Sequence, residues 1–163
     1  MLPDVLRPNL KVVFCGTAVG DKSAMKKAYY AGPGNKFWPI IYRVGLTPLQ
    51  LKPEDYKKLL DYRIGLTDLA KGVSGVDNKL KKSNFDTAIL KNKILDCCPK
   101  LLCFNGKRAA QEFLGTKEVE YGLQNLKIGN TLVFVAPSTS GAASGYWEDS
   151  YYYQLAKIVS EWK

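Results

Sequence analysis

Three short apolar runs, each closed by a turn of small residues, constrain this chain most. "KVVFCG" (Lys11–Gly16) is rich in β-branched residues and ends on glycine, the pattern of a strand buried on both faces. "KLLCFNG" (Lys100–Gly106) reads as a second buried strand. The third is the later arm of a hairpin predicted around Gly129-Asn130 in "LKIGNTLVFVAPS". Between and after them lie helical patterns. "FWPIIYRVG" is expected to be helical beyond Pro39, and "KPEDYKKLLDY" to be a helix with Pro53 near its first position. "SNFDTAILKNKILDCC" carries Phe85, Ile89, Leu90, Ile94, Cys97 and Cys98 at helical spacing, with Ser83 or Asn84 as N-cap. "KRAAQEFLG" is a helix closed by Gly115. A last helix presents Tyr152, Leu155, Ala156, Val159 and Trp162 on one face.

Strands alternating with helices predict an α/β fold: a three-layer sandwich with a mainly parallel central sheet flanked by helices. No repeat or low-complexity linker divides the chain, so one domain over residues 1–163 is expected. In such sheets ligands bind outside the carboxyl ends of the strands. "GTAVG", "NGKR" and "PSTSGAASG" all belong at that edge. Two of these loops are built of small residues, which lets another molecule approach the backbone closely. Residues Asp21 to Lys36 read as a long functional loop, with "GPGN" as turn punctuation.

Composition narrows the chemistry. The chain has no histidine, which excludes Ser-His-Asp and Cys-His mechanisms and leaves Asp, Glu, Lys, Tyr or water as general base. Lys and Arg number 24 against 15 Asp and Glu, a net charge of +9 that favours a polyanionic partner, nucleic acid first. The four cysteines, Cys15, Cys97, Cys98 and Cys103, fit no zinc spacing and are expected to be reduced and structural. The first residues, "MLPDVLRPNL", lack the apolar core of a signal peptide, and no run is long enough to span a membrane, so a soluble cytoplasmic protein is expected.

"VVFCGTAVG", "GPGNKFW" and "APSTSGAASG", in this order and spacing, resemble the mismatch-specific uracil/thymine-DNA glycosylases of the uracil-DNA glycosylase superfamily. The similarity runs from about Leu10 to the final helix. The resemblance implies a monomeric DNA repair hydrolase without metal or cofactor. Such an enzyme flips uracil, or a related deaminated or mismatched base, out of double-stranded DNA and hydrolyses its N-glycosidic bond. Xanthine and hypoxanthine are alternative bases.

By the same resemblance, Gly16, Thr17 and Ala18 line the base pocket, their main-chain N–H groups facing a carbonyl oxygen of the base. Tyr30 is the ring that stacks on the flipped base, with Tyr29 as its rival. Ser23 contacts substrate, and Asn35 shapes the pocket or fixes its loop, while Phe37 and Trp38 are core. Pro137, Ser138, Thr139, Ser140, Gly141, Ala142 and Ala143 form the loop that enters DNA, with Gly141 to Ala143 as a small wedge. Lys79, Lys81, Lys82, Lys91 and Lys93 are candidate phosphate contacts.

One position departs from the family pattern. The third loop residue is usually an Asn that positions the attacking water, and here it is Ala18. Either another side chain takes over that task, or the protein is a catalytically silent binder of damaged DNA. A helix that precedes a strand starts at the carboxyl edge of the sheet, which puts the start of "SNFDTA" near "GTAVG". Asp86 is therefore the first candidate for the catalytic carboxylate, Asn84 the second, and Asp68 in "GLTDLAKG" the third.

Overall fold

The computed structural model describes residues 2–70 and 85–162. Among these residues five strands form one sheet: β1 (Val12–Gly16), β2 (Ile64–Asp68), β3 (Leu101–Asn105), β4 (Gly122–Ile128) and β5 (Thr131–Ala136). The spatial order is β2-β1-β3-β5-β4. β1, β2, β3 and β5 run parallel, and β4 returns antiparallel along β5. The connections hold α1 (Asp21–Lys26), α2 (Phe37–Arg43), α3 (Thr87–Cys97), α4 (Lys107–Leu114) and α5 (Ser150–Ser160).

Alternation along each strand sends neighbouring side chains to opposite faces and so builds two cores. On one face Phe14, Cys103 and Phe134 pack with Phe37, Trp38 and Ile41 of α2 and Tyr152 and Leu155 of α5. On the other, Val13, Leu102, Phe104 and Val133 pack with Leu90 and Ile94 of α3 and Ala109 and Ala110 of α4. The result is the three-layer α/β sandwich that the alternating pattern predicts.

Four local readings change. Pro53–Tyr62 is a 3-10 segment rather than an α-helix, broken at Asp55. Its inward residues Tyr56, Leu59 and Tyr62 recur every third position, the period of a 3-10 turn. α3 begins at Thr87 with Asp86 as its N-cap; Ser83 and Asn84, the expected caps, lie outside the described residues. Its buried stripe is narrower than expected. Ile89 is exposed, and Cys98 leaves the helix in a left-handed C-cap. The loop expected over Asp21–Lys36 contains the short helix α1, closed by Lys27 in the left-handed region.

The fourth change is β2, a strand that no apolar run announces. "IGLTD" carries glycine and two polar residues because of its place at the sheet edge. Val5 pairs with Leu66 through two backbone hydrogen bonds of 2.8 and 2.9 Å, which covers that edge. A Cβ on Gly65 would stand 2.6 Å from the Val5 carbonyl oxygen, so only glycine admits this covering segment. Thr67 donates its hydroxyl to Asp4 at 2.7 Å, and Asp4 also pairs with Lys93.

Candidate functional site

The carboxyl ends of β1, β2, β3 and β5 bring Gly16, Asp68, Asn105 and Ala136 to one edge of the sheet. A cavity of about 730 Å³ opens there, large enough for a nucleobase and its sugar. Its walls are the loop after β1, the start of α1, the stretch from Tyr29 to Asn35, and the loop after β5.

Most of the expected residues meet in this cavity. Gly16, Ala18, Ser23, Tyr30, Asn35 and the run from Ser138 to Ala143 all line it. Thr17 and Pro137 do not. The Thr17 carbonyl accepts the Ala70 N–H at 2.7 Å, and the Pro137 carbonyl accepts the Tyr152 hydroxyl at 2.9 Å, so both hold the walls from behind. The polar groups of the loops are engaged in shaping them. Ser23 Oγ accepts the Ala31 N–H at 2.8 Å, and Asn35 Oδ1 accepts the Phe37 N–H at 3.0 Å. Asn35 thus fixes the turn into α2. Phe37 and Trp38 are buried in the core.

Tyr30 occupies the left-handed region at φ 52°, an uncommon conformation for a bulky residue. Its surroundings over-determine it. The Trp38 indole donates to the carbonyl of Tyr29 at 3.1 Å, Ser23 holds Ala31, and the Tyr30 ring stacks on Phe37 with centroids 4.2 Å apart. Backbone strain held this firmly concentrates at functional sites. The Tyr30 hydroxyl is buried and, among the described residues, has no hydrogen-bond partner. Burial, and then the negative charge of Asp68, raise its pKa well above the usual tyrosine value, and the nearby Asn105 amide offsets this only in part. Tyr29 belongs to the core. Its hydroxyl donates to the Pro3 carbonyl at 3.2 Å, and burial followed by the Asp68 charge keep it protonated.

The candidate carboxylates separate cleanly. Asp86 does stand near the sheet edge, its N–H 3.5 Å from the Leu69 carbonyl. Its side chain, however, accepts the Ile89 N–H at 3.1 Å as the cap of α3, and it is exposed and outside the cavity wall. Asn84 lies outside the described residues. Asp68, the third choice, lines the cavity and is buried at 4% exposure. It pairs in register with Gly16, and a Cβ on Gly16 would stand 3.5 Å from Asp68 Oδ1 and 3.6 Å from the Tyr30 hydroxyl. The Asp68 carboxylate and the Tyr30 hydroxyl therefore both border Gly16 in the wall of the cavity that Ala18 also lines.

Asn105 is a wall residue that sequence reasoning passed over. Its amide donates to Thr139 Oγ1 and accepts the Thr139 N–H, both at 2.9 Å, clamping the loop after β5 to the end of β3. The available signal was a polar residue ending an apolar strand directly before glycine. Gly106, at φ 105°, lets Ser138 approach to where a Cβ would meet its Cβ at 3.2 Å. The same loop is tied to the "GPGN" segment. Thr139 accepts the Lys36 N–H at 2.8 Å, and a Cβ on Gly141 would crowd the Pro33 carbonyl at 3.1 Å.

The lysine candidates scatter. Lys79, Lys81 and Lys82 lie outside the described residues; Lys91 is exposed on α3, and Lys93 is paired with Asp4. Lys22 lines the cavity, and Lys36 donates to Ser144 Oγ at 3.0 Å beside it.

Comparison with known proteins agrees with this fold. The solution NMR structure of a protein from Methanosarcina acetivorans, provisionally assigned as a uracil DNA glycosylase, matches with a TM-score of 0.64 and 26% identity. The match covers 98% of this chain and 96% of that one. The family model described as the uracil DNA glycosylase superfamily matches residues 3–160, nearly the whole fold and every wall of the cavity. The chain belongs to the uracil DNA glycosylase superfamily.

Proposed function

We propose that this protein is a DNA glycosylase that receives a flipped uracil, or a related deaminated or mismatched base, and hydrolyses its N-glycosidic bond. The observation that carries this reading is the buried carboxylate of Asp68, which pairs in register with Gly16 and lines the same cavity as Ala18. Where the family pattern has an Asn on the loop after β1, this chain has an acid on the neighbouring strand. Asp68 would orient a water toward the anomeric carbon and take its proton as the new C–O bond forms. The C–N bond breaks with its electron pair leaving on the base, and the carboxylate offsets the positive charge that develops on the sugar. Tyr30 supplies a stacking face, and the loop from Ser138 to Ala143 meets the strand around the vacated position. The enzyme acts as a monomer in this reading, with mismatched duplexes among its substrates.

The test is excision from end-labelled duplexes carrying uracil opposite guanine or adenine, followed by alkaline cleavage of abasic sites. Breaks confined to the uracil position are expected. A second reading, a DNA-damage binder that cannot cut, draws on Ala18 and expects retarded DNA without breaks. The protein has no helix among the described residues long and apolar enough to cross a membrane.

Asp86 supplies a control. Asp86→Ala removes the cap of α3 and is expected to lower stability by about 0.5–2 kcal/mol in urea unfolding, with excision near the parent rate. A hundredfold loss of excision would return Asp86 to the chemistry.

A further inference from the structure

Asp68 ends β2, and β2 is the edge strand of the sheet, with β1 as its neighbour on one side. A carboxylate that aims a water at a base stacked on Tyr30 must be fixed relative to that ring, because a misplacement of about 1 Å can cost about a hundredfold in rate. Pairing with β1 does not by itself set this distance. Tyr30 belongs to a different segment, the turn between α1 and α2. The stretch before β1 joins the two.

Two consecutive residues make the join. The Pro3 carbonyl accepts the Tyr29 hydroxyl at 3.2 Å. The Asp4 carboxylate accepts the Thr67 hydroxyl at 2.7 Å through Oδ1 and the Lys93 ammonium of α3 at 2.6 Å through Oδ2. Tyr29 immediately precedes Tyr30, and Thr67 immediately precedes Asp68. Tyr29, Tyr30 and Asp68 line the cavity, whereas Pro3, Asp4 and Thr67 do not. The pair itself is anchored. Leu2 and Val5, on either side of it, are buried in the same core as Tyr29 and Leu66, and the two backbone bonds between Val5 and Leu66 fix its register on β2. Thr67 is fully buried, so its hydroxyl depends on the Asp4 acceptor.

We infer that the Pro3-Asp4 pair is a staple that sets the distance between the Asp68 strand and the Tyr29-Tyr30 turn, which makes Asp4 and Thr67 positioning residues for the site although neither lines the cavity. One residue of the staple holds each side: Pro3 takes the turn and Asp4 takes the strand. Lys93 ties Asp4 in turn to α3, so the staple rests on a helix and does not swing with the strand. The inference rests on the glycosylase reading for what the site does, but the staple is also read without excision.

Thr67→Val keeps the branched shape and removes the hydroxyl. Its kcat for uracil excision is expected to fall by about 10- to 100-fold with KM within about twofold of the parent, the split expected when geometry rather than substrate binding is lost. Asp4→Ala should behave alike. Asp4→Asn makes the same change of charge but keeps an oxygen to accept from Thr67, so its kcat should stay within about threefold of the parent. Amide hydrogen exchange reads the staple directly. In Thr67→Val the amides of Val5, Leu66 and, across the staple, Ala31 are expected to exchange at least about 10-fold faster, while those of β3 and β5 keep their parent rates. Faster exchange throughout the sheet, a parent-like kcat in Thr67→Val, or an Asp4→Asn protein as slow as Asp4→Ala overturns the inference. If the parent protein cuts no uracil while exchange quickens at Val5, Leu66 and Ala31 alone, the staple stands and the glycosylase reading falls. Normal excision by all three variants removes the staple and leaves the glycosylase reading standing.

Discussion

Asp68→Ala is expected to abolish most base excision, lowering the single-turnover rate by about 10²–10⁴-fold while DNA binding is largely kept. The magnitude is that of a positioned general base. It applies here because Asp68 is the buried carboxylate among the described lining residues: Asp21, the other acid in the wall, is exposed at the start of α1, Ala18 is inert, and the hydroxyls of Tyr29 and Tyr30 are held protonated. The chain has no histidine to substitute. Asp68→Asn separates two contributions. An amide still holds a water, as the usual family Asn does, but it neither accepts the proton nor offsets charge on the sugar. Its rate should therefore fall between those of the parent and of Asp68→Ala. The fold should tolerate both changes, since the Tyr29 hydroxyl retains the Pro3 carbonyl at 3.2 Å and the strand pairing of β2 is made by backbone groups. Excision by Asp68→Ala within about threefold of the parent rate would remove Asp68 from the mechanism, a bound set far below the general-base range.

The ranking of these carboxylates illustrates what a sequence can and cannot convey. β1, β3 and β5 are legible because burial on both faces demands continuous apolar runs, and their order with the intervening helices dictates the sandwich. β2 hides because its composition answers to other tasks. Gly65 makes room for the Val5 carbonyl, Thr67 bonds Asp4, and Asp68 faces the cavity. With that strand unseen, Asp68 had no address, although its pairing with Gly16 places it one strand from the loop that drew attention first. The topological step that led to Asp86 was sound for the backbone, which does lie beside Leu69. It could not tell which way the side chain turns, and a first-turn aspartate has a local partner in the free N–H groups of its own helix. Asn105 was invisible for a related reason. Its role is a pair of hydrogen bonds to Thr139, 34 residues away in the chain, and no local pattern encodes such a partner.

Tyr30→Ala is expected to weaken handling of the flipped base by about 1–3 kcal/mol, or about 5- to 100-fold in kcat/KM, whereas Tyr30→Phe is expected to be nearly silent. The two variants isolate the ring from the hydroxyl. The ring already stacks on Phe37, which itself meets Phe14 edge-on at 5.1 Å, so a base entering the cavity would extend an aromatic column rooted in the core. Among the described residues the hydroxyl has no hydrogen-bond partner, and burial without one is unfavourable. Tyr30→Phe should therefore hold or raise the melting temperature. Tyr30→Gly adds a third arm. Glycine suits the φ of 52° better than tyrosine does, so it relieves backbone strain while removing the ring. If stacking is the function, Tyr30→Gly and Tyr30→Ala lose excision together. If the residue serves only to hold a strained turn, Tyr30→Gly keeps excision and Tyr30→Ala does not. Retention of excision by all three variants, with the fold intact by circular dichroism, would place the stacking surface elsewhere.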